Sequence, residues 1–331
     1  MLPLLAERLS RRGDVPPRLR SRCREASARH AAADLLREIE LQRVLRELVR
    51  AAVPALLIKG AHLAYGHYPR PDLRMRLDTD IVIPSAARGA ADRTLVRIGY
   101  ALDGHVSGEL VMYQAPYVNR RAGTVFHTID VHWKIANAQA FADLLSYEEL
   151  AAASVPLPRL GAAARGLSDV HALALACVHR VAHHFDSGQM IWLYDIHLLA
   201  SRLDRHGWDL FAGLAIERGV AAVCRQSLTR TMQTFATAVP SDLLARLQPR
   251  ARAAAEPTAV YLQPHRRHVE HVVSDLRALP TWTRRWRLVR EHAFPPAQYM
   301  RKTYAPASAA PLPILYARRA IRGARKWLAR S

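Results

Sequence analysis

Lysine is nearly absent from this 331-residue chain. It occurs only at Lys59, Lys134, Lys302 and Lys326, and every other fixed positive side chain is arginine. The formal charge is nonetheless +20 and the isoelectric point about 10.8, which points to polyanionic partners such as nucleotide, nucleic acid or an anionic membrane. The arginine excess, with so many alanines beside it, also reads as GC-rich coding, so charge alone does not make this a nucleic-acid-binding protein. Zinc-finger spacing and an aromatic-rich RNA-binding signature are both missing, and sequence-specific nucleic-acid recognition is not expected. No apolar run approaches the roughly 18 residues of a membrane span. The opening MLPLLAERLSRRGD is too briefly apolar for a signal peptide. The three cysteines, Cys23, Cys177 and Cys224, stand too far apart to suggest a zinc site or a disulfide framework, so a reducing cytoplasm is expected. No internal repeat is visible. The 50% hydrophobic content excludes global disorder, and the length allows two domains.

Along the chain, residues 1–30 read as a basic, proline-punctuated loose arm or irregular helix. Leu35, Ile39, Leu41, Val44, Leu45 and Leu48 recur at helical spacing over 27–52, and Pro54 ends that helix. ALLIKG (55–60) reads as a strand closing on glycine, AHLAYGHY as a helix and YPRPD as a loop. LDTDIVI (77–83) reads as a strand stopped by Pro84, and 85–100 as a helix. ELVMYQAPYV, a turn at NRRAG and TVFHTIDVHWKI form a strand–turn–strand. From 141 onward nearly everything reads as helix. The expected class is α+β: a mixed sheet with helices over 31–135, a mainly helical domain over 136–280, and a basic helical extension over 281–331.

The chemistry concentrates in RMRLDTDIVIP (74–84). Side chains alternate along a strand, so Asp78 and Asp80 point the same way with Cα atoms roughly 6–7 Å apart. Two like charges so placed repel, and a divalent cation with a taste for carboxylate and phosphate oxygens relieves the penalty. A solvated strand end carrying two surface acids is the plainer alternative. Gly60 sits between a strand and a helix, where backbone and helix-start N–H groups approach a phosphate closely, although most such turns are only turns. Asp130 lies inside TIDVHW, a strand in which an unpaired charge is costly. It needs either an arginine partner or a shared cation. If its strand lies beside that of Asp80, three carboxylates converge in the layout that aligns a triphosphate for in-line attack.

LLIKGAHLAYGHYP…R…LDTDIVI with the later IDVHW resembles the nucleotidyltransferase superfamily. More closely, it is similar to the bacterial group of uncharacterised nucleotidyltransferases with an LKG…YP…R…DxDxL opening. HALALACVHRVAHHFDSGQMIWLYDIHLL and FPPAQYMRKTY are similar to that group's central and C-terminal motifs, so the likeness runs from about 30 to 330. The resemblance implies a nucleotidyltransferase-like sheet and Mg²⁺- or Mn²⁺-assisted transfer of a nucleoside monophosphate from an NTP, ATP among them. It matches Lys59 and Gly60 to the nucleotide-phosphate turn and Asp78 and Asp80 to the metal pair. Asp130 matches the third carboxylate, as metal ligand or base. Arg74 matches the arginine before the pair, as phosphate holder, orienting group or structural ion pair. The implied acceptor is a small molecule, glycan or peptide. Ala61 departs from the superfamily's usual Gly-Ser or Gly-Gly turn and offers no hydroxyl to a phosphate, which leaves a catalytically inactive nucleotide-binding or scaffold protein as an alternative.

Two features lie outside that opening. His179, His183 and His184, with Asp186 and Asp195 near, form a cluster with three readings. They pack the helical core, they contact acceptor or nucleotide, or they hold a metal for a His-Asp phosphohydrolase. The HxxxH spacing lacks the glutamate of zinc peptidases. The last 51 residues hold twelve basic residues and one acid, Glu291. LPILYARRAIRGARKWLARS is a basic amphipathic helix that folds back on the helical domain, lies on an anionic membrane surface or binds an acidic partner, and WTRRWRLVR supports an anionic contact.

Overall fold

The computed structural model describes residues 2–103, 108–182, 189–248, 256–263, 268–304 and 310–328. The elements in chain order begin with α1 (Leu2–Ser10), α2 (Pro17–Arg50), β1 (Leu56–Leu57), α3 (Lys59–Gly66), β2 (Thr79–Val82), α4 (Arg88–Arg97), β3 (Tyr100–Leu102), β4 (Gln114–Arg121) and β5 (Thr124–His132). There follow α5 (Gln139–Ala142), α6 (Tyr147–Ala152), β6 (Val155–Pro156), β7 (Arg165–Gly166), α7 (Asp169–Ala182), α8 (Met190–Ala200), α9 (Arg205–Glu217) and α10 (Ala221–Phe235). The remainder is α11 (Leu243–Arg246), α12 (His268–Ala278), α13 (Trp282–Ala293), α14 (Ala297–Tyr304) and α15 (Leu312–Leu328). The class is α+β, as the sequence suggested.

Among the described residues the strands form one mixed sheet in the order β3-β4-β5-β2-β1-β7-β6. β2 runs parallel to β5 and antiparallel to β1. The β4–β5 hairpin turns through Ala122 and Gly123, both left-handed at φ +47° and +78°, the conformation a two-residue hairpin turn requires. The sheet continues past residue 135: β7 lies parallel to β1 and carries β6 at the edge. These strands are two residues long, below what alternation can signal.

α2 covers one sheet face. Leu41, Val44, Leu45 and Leu48 join Leu57, Ile81, Ile83, Ile129 and Val131 in one core, each worth about 1.5–3 kcal/mol of burial. The helix runs unbroken through residue 30, with Pro17 in the first turn where a missing N–H costs nothing. Its middle departs from the expected stripe. Leu35 and Ile39 are exposed, and Asp34, Glu38 and Glu40 are buried instead. Each acid meets a partner: Asp34 lies 2.7 Å from Arg76, Glu38 2.9 Å from Arg159, and Glu40 takes the Tyr100 hydroxyl at 2.9 Å. The other sheet face, through Leu56, Ile58 and Val82, packs on α7, α8, α9 and α10 in a second core.

α3 is wedged between these layers. His62 on α3 is buried, and a Cβ placed on Gly166 of β7 would lie 2.1 Å from its Nδ1. Gly166→Ala should therefore cost roughly 1–3 kcal/mol in urea denaturation. His62→Ala should offset part of that loss in the double variant, since the two positions share one contact.

Candidate active site

Ile58 leaves β1 extended, and Lys59 then adopts φ +49° as the first residue of α3. A left-handed conformation costs a residue with a side chain about 1–2 kcal/mol. At this turn the Lys59 ammonium meets the carboxylate of Asp80, with Nζ 2.8 Å from Oδ1. His132 Nε2 lies 2.8 Å from the same oxygen and 3.4 Å from Nζ. The parallel register of β2 and β5 sets Asp80 directly opposite Asp130. Asp130 Oδ2 accepts a hydrogen bond from Gln114 Nε2 at 3.2 Å.

Charge in this cluster is unevenly compensated. Burial alone would raise the Asp80 carboxyl, but the attraction of Lys59 and the His132 hydrogen bond hold it well below the usual carboxylate range. Burial pushes Asp78 up, and the Asp80 charge adds to that. Asp130 is pushed up to about 7 by burial and by the charges of Asp80 and Asp78, against the pull of Lys59. Burial, then the Lys59 charge, lowers His132 to about 4 despite its Asp80 contact. One ammonium, and at longer range the Asp195-paired Arg74, serve three carboxylates, and there is electrostatic room for another cation.

These residues line a cleft of about 460 Å³ between the sheet and helices α7 and α8. Lys59, Gly60, Arg74, Asp78, Asp80, Asp130, His179 and Asp195 all face it. Leu77, 87% exposed, stands at its lip. Ala61 does not line it; its side chain is fully buried in the core on the α2 side. A hydroxyl at position 61 would therefore point away from the cleft. Arg74 faces the cleft with its guanidinium beside Gly60 and is held there by an ion pair. Its Nε and Nη2 donate to Asp195 at 2.8 and 2.7 Å, and Nη1 donates to the Met75 carbonyl at 2.6 Å. Tyr68 donates to the same carboxylate at 2.8 Å. Asp195 is thus a buried anchor tying α8 to the loop before β2. His179 packs edge-on to Trp192, with ring centroids 6.3 Å apart. His183, His184 and Asp186 lie outside the described residues.

A family model described as an uncharacterised nucleotidyltransferase matches residues 1–236. The chain belongs to that nucleotidyltransferase family. The match takes in all of the cleft residues named above, and the FPPAQYMRKTY stretch lies beyond it. No curated protein matches the chain. The donor set in this cleft fits a divalent cation: ligand atoms of Asp80, Asp130 and His132 lie within 4.8 Å of one another. His132 was not among the residues singled out from sequence. Its signal was its place two residues after Asp130, on the same strand face.

The elevated Asp130 fixes a pH dependence. Its folded value lies above the ordinary carboxylate value near 3.9, so the folded state holds more protons between about pH 4 and 7 and loses stability as pH rises through that window. Asp130→Asn removes that loss. In chelator-containing buffer the variant should melt several degrees above the wild type at pH 8, and the gain should fade by pH 4.

Proposed function

We propose that the cleft binds a nucleoside triphosphate with Mg²⁺ or Mn²⁺ and transfers its nucleoside monophosphate to a hydroxyl of a small molecule, glycan or peptide, releasing pyrophosphate. The observation that carries this reading is the Asp80–Asp130 register pair facing the same cleft as the Gly60 turn at the start of α3. The acceptor oxygen forms a bond to the α-phosphorus as the bond to the bridging oxygen breaks, and pyrophosphate carries that oxygen away. Asp78, Asp80 and Asp130 would hold the cation, with His132 beside them. When bound, the cation neutralises carboxylate and phosphate charge and draws electron density from the transferring group. Asp130, pushed up to about 7, takes the acceptor's proton. The Lys59 ammonium, shared with Asp80, supplies positive charge to the phosphates.

Gly60 fits a phosphate contact for a reason separate from folding. A Cβ there would meet nothing closer than 3.7 Å, and its φ is not left-handed, so neither packing nor backbone requires glycine. Gly60→Ala should keep the unliganded melting temperature and lose the shift with nucleotide. For the wild type, nucleotide and Mg²⁺ at about 100 times Kd should add about 2.7 kcal/mol of stability.

An inactive nucleotide-binding protein is the second reading, favoured by the Lys59–Asp80 pair, which already satisfies that carboxylate without a metal. Turnover separates the two. With labelled NTP, Mg²⁺ and cell extract as the acceptor source, the wild type should release pyrophosphate. Asp78→Asn and Asp80→Asn should each lower that rate on the order of 10³-fold, the several kcal/mol a metal clamp provides. A wild type that binds nucleotide but releases no pyrophosphate supports the inactive protein, and undiminished rates in both variants overturn the assignment.

A further inference from the structure

α13 is an anchored helix with its aromatic side turned outward. Leu288 is buried beside Leu110 and Leu279, and Glu291 accepts the Leu110 N–H at 2.7 Å. Arg287 reaches both Glu291 and Glu109. The opposite face carries Trp282 and Trp286, one helical turn apart and 81% and 72% exposed. Phe294, 65% exposed, follows at the helix end and meets Tyr316 of α15 edge-on at 5.7 Å. Arg319 of α15 donates to the His292 carbonyl at 2.9 Å, so the two helices are joined there. Ile314 and Ile321 are exposed along α15. Scattered single apolar side chains are ordinary on a protein surface, but paired tryptophans rimmed by arginine are not.

The charge around this face is mostly positive, and Glu109 is spent on Arg287. Glu291 is the sole acid after residue 280, and the contacts to Arg287 and Leu110 consume it. Arg284, Arg290, Arg318 and Arg322 are exposed on the same two helices. We propose that α13, with α15 beside it, docks the protein on an anionic lipid surface. Tryptophan rings settle at headgroup depth, and arginines meet lipid phosphates at the same level. A second copy of this chain would bring like charge to the face. A single-stranded nucleic acid needs open ring faces for stacking, whereas the Arg285 guanidinium lies over the Trp282 ring, 5.2 Å from its centroid. Among the described residues no helix is long and apolar enough to cross a membrane, so the contact is one of lying on the surface. This surface is built from residues beyond the family match, and it stands whether or not the cleft is catalytic.

The test is sedimentation of the full chain with phosphatidylcholine vesicles, with and without about one third phosphatidylglycerol. The wild type should sediment with the anionic vesicles, fail to do so with the neutral ones, and be released by salt. Arg284→Gln with Arg290→Gln should weaken binding about 25-fold, roughly fivefold per charge. Trp282→Ser with Trp286→Ser should weaken it at least about tenfold, without a change in melting temperature. Brominated lipid should quench the wild type's tryptophan fluorescence, a readout that needs no variant. No sedimentation, equal sedimentation with neutral vesicles, or a tryptophan double variant that binds like the wild type would overturn the proposal. So would displacement from the vesicles by a single-stranded oligonucleotide whose own binding requires the same two tryptophans.

Discussion

The parallel pairing of β2 with β5 is the constraint on which the site rests. It forces Asp80 and Asp130 side by side in a largely buried position, with Asp78 just before the strand. Burying like charges is unfavourable unless something of opposite sign arrives. The chain supplies one ammonium, from a lysine held left-handed at the start of α3. That suffices for Asp80 and leaves Asp130 pushed up to about 7. The remaining negative charge is what a divalent cation would neutralise.

The second half of the cleft is held to the first by a buried ion pair. Arg74, from the loop leading into β2, is gripped by Asp195 of α8, with Tyr68 on the same carboxylate. Removing one member of such a pair leaves an uncompensated buried charge and typically costs 3–5 kcal/mol. The pair spans both walls of the cleft, so it sets how the α7–α8 wall stands relative to the carboxylates. The arginine and the aspartate that stand apart in the sequence are, in the fold, partners of each other on the cleft wall.

Local periodicity made much of this legible. The DTD spacing placed Asp78 and Asp80 on one side of a strand, and IDVHW placed Asp130 inside another, because alternation along a strand is a property of adjacent residues. The register between those strands was not legible, since it depends on contacts 50 residues apart. His132 escaped notice although it shares the alternation of Asp130. The α2 stripe was misread where it matters physically. Leu35 and Ile39 fit an apolar face, but Asp34 and Glu38 win the interior because Arg76 and Arg159 lie opposite them. β6 and β7 are too short to leave a pattern, and their place in the sheet comes from β1. The basic tail was legible as amphipathic. Which part of it is presented was not: Leu315 of α15 is buried against Met300, while the tryptophans of α13 stay outside.

The central claim is that Asp80 and Asp130 together form the cation site of a nucleotide cleft. The most direct measurement is Mn²⁺ binding followed by electron paramagnetic resonance, with and without a nucleoside triphosphate, for the wild type and for Asp80→Asn and Asp130→Asn. The account predicts that nucleotide tightens Mn²⁺ binding to the wild type and that either substitution weakens it by at least about tenfold, the loss of one charged ligand. Mn²⁺ affinity that is unchanged in both variants, and indifferent to nucleotide, would contradict it.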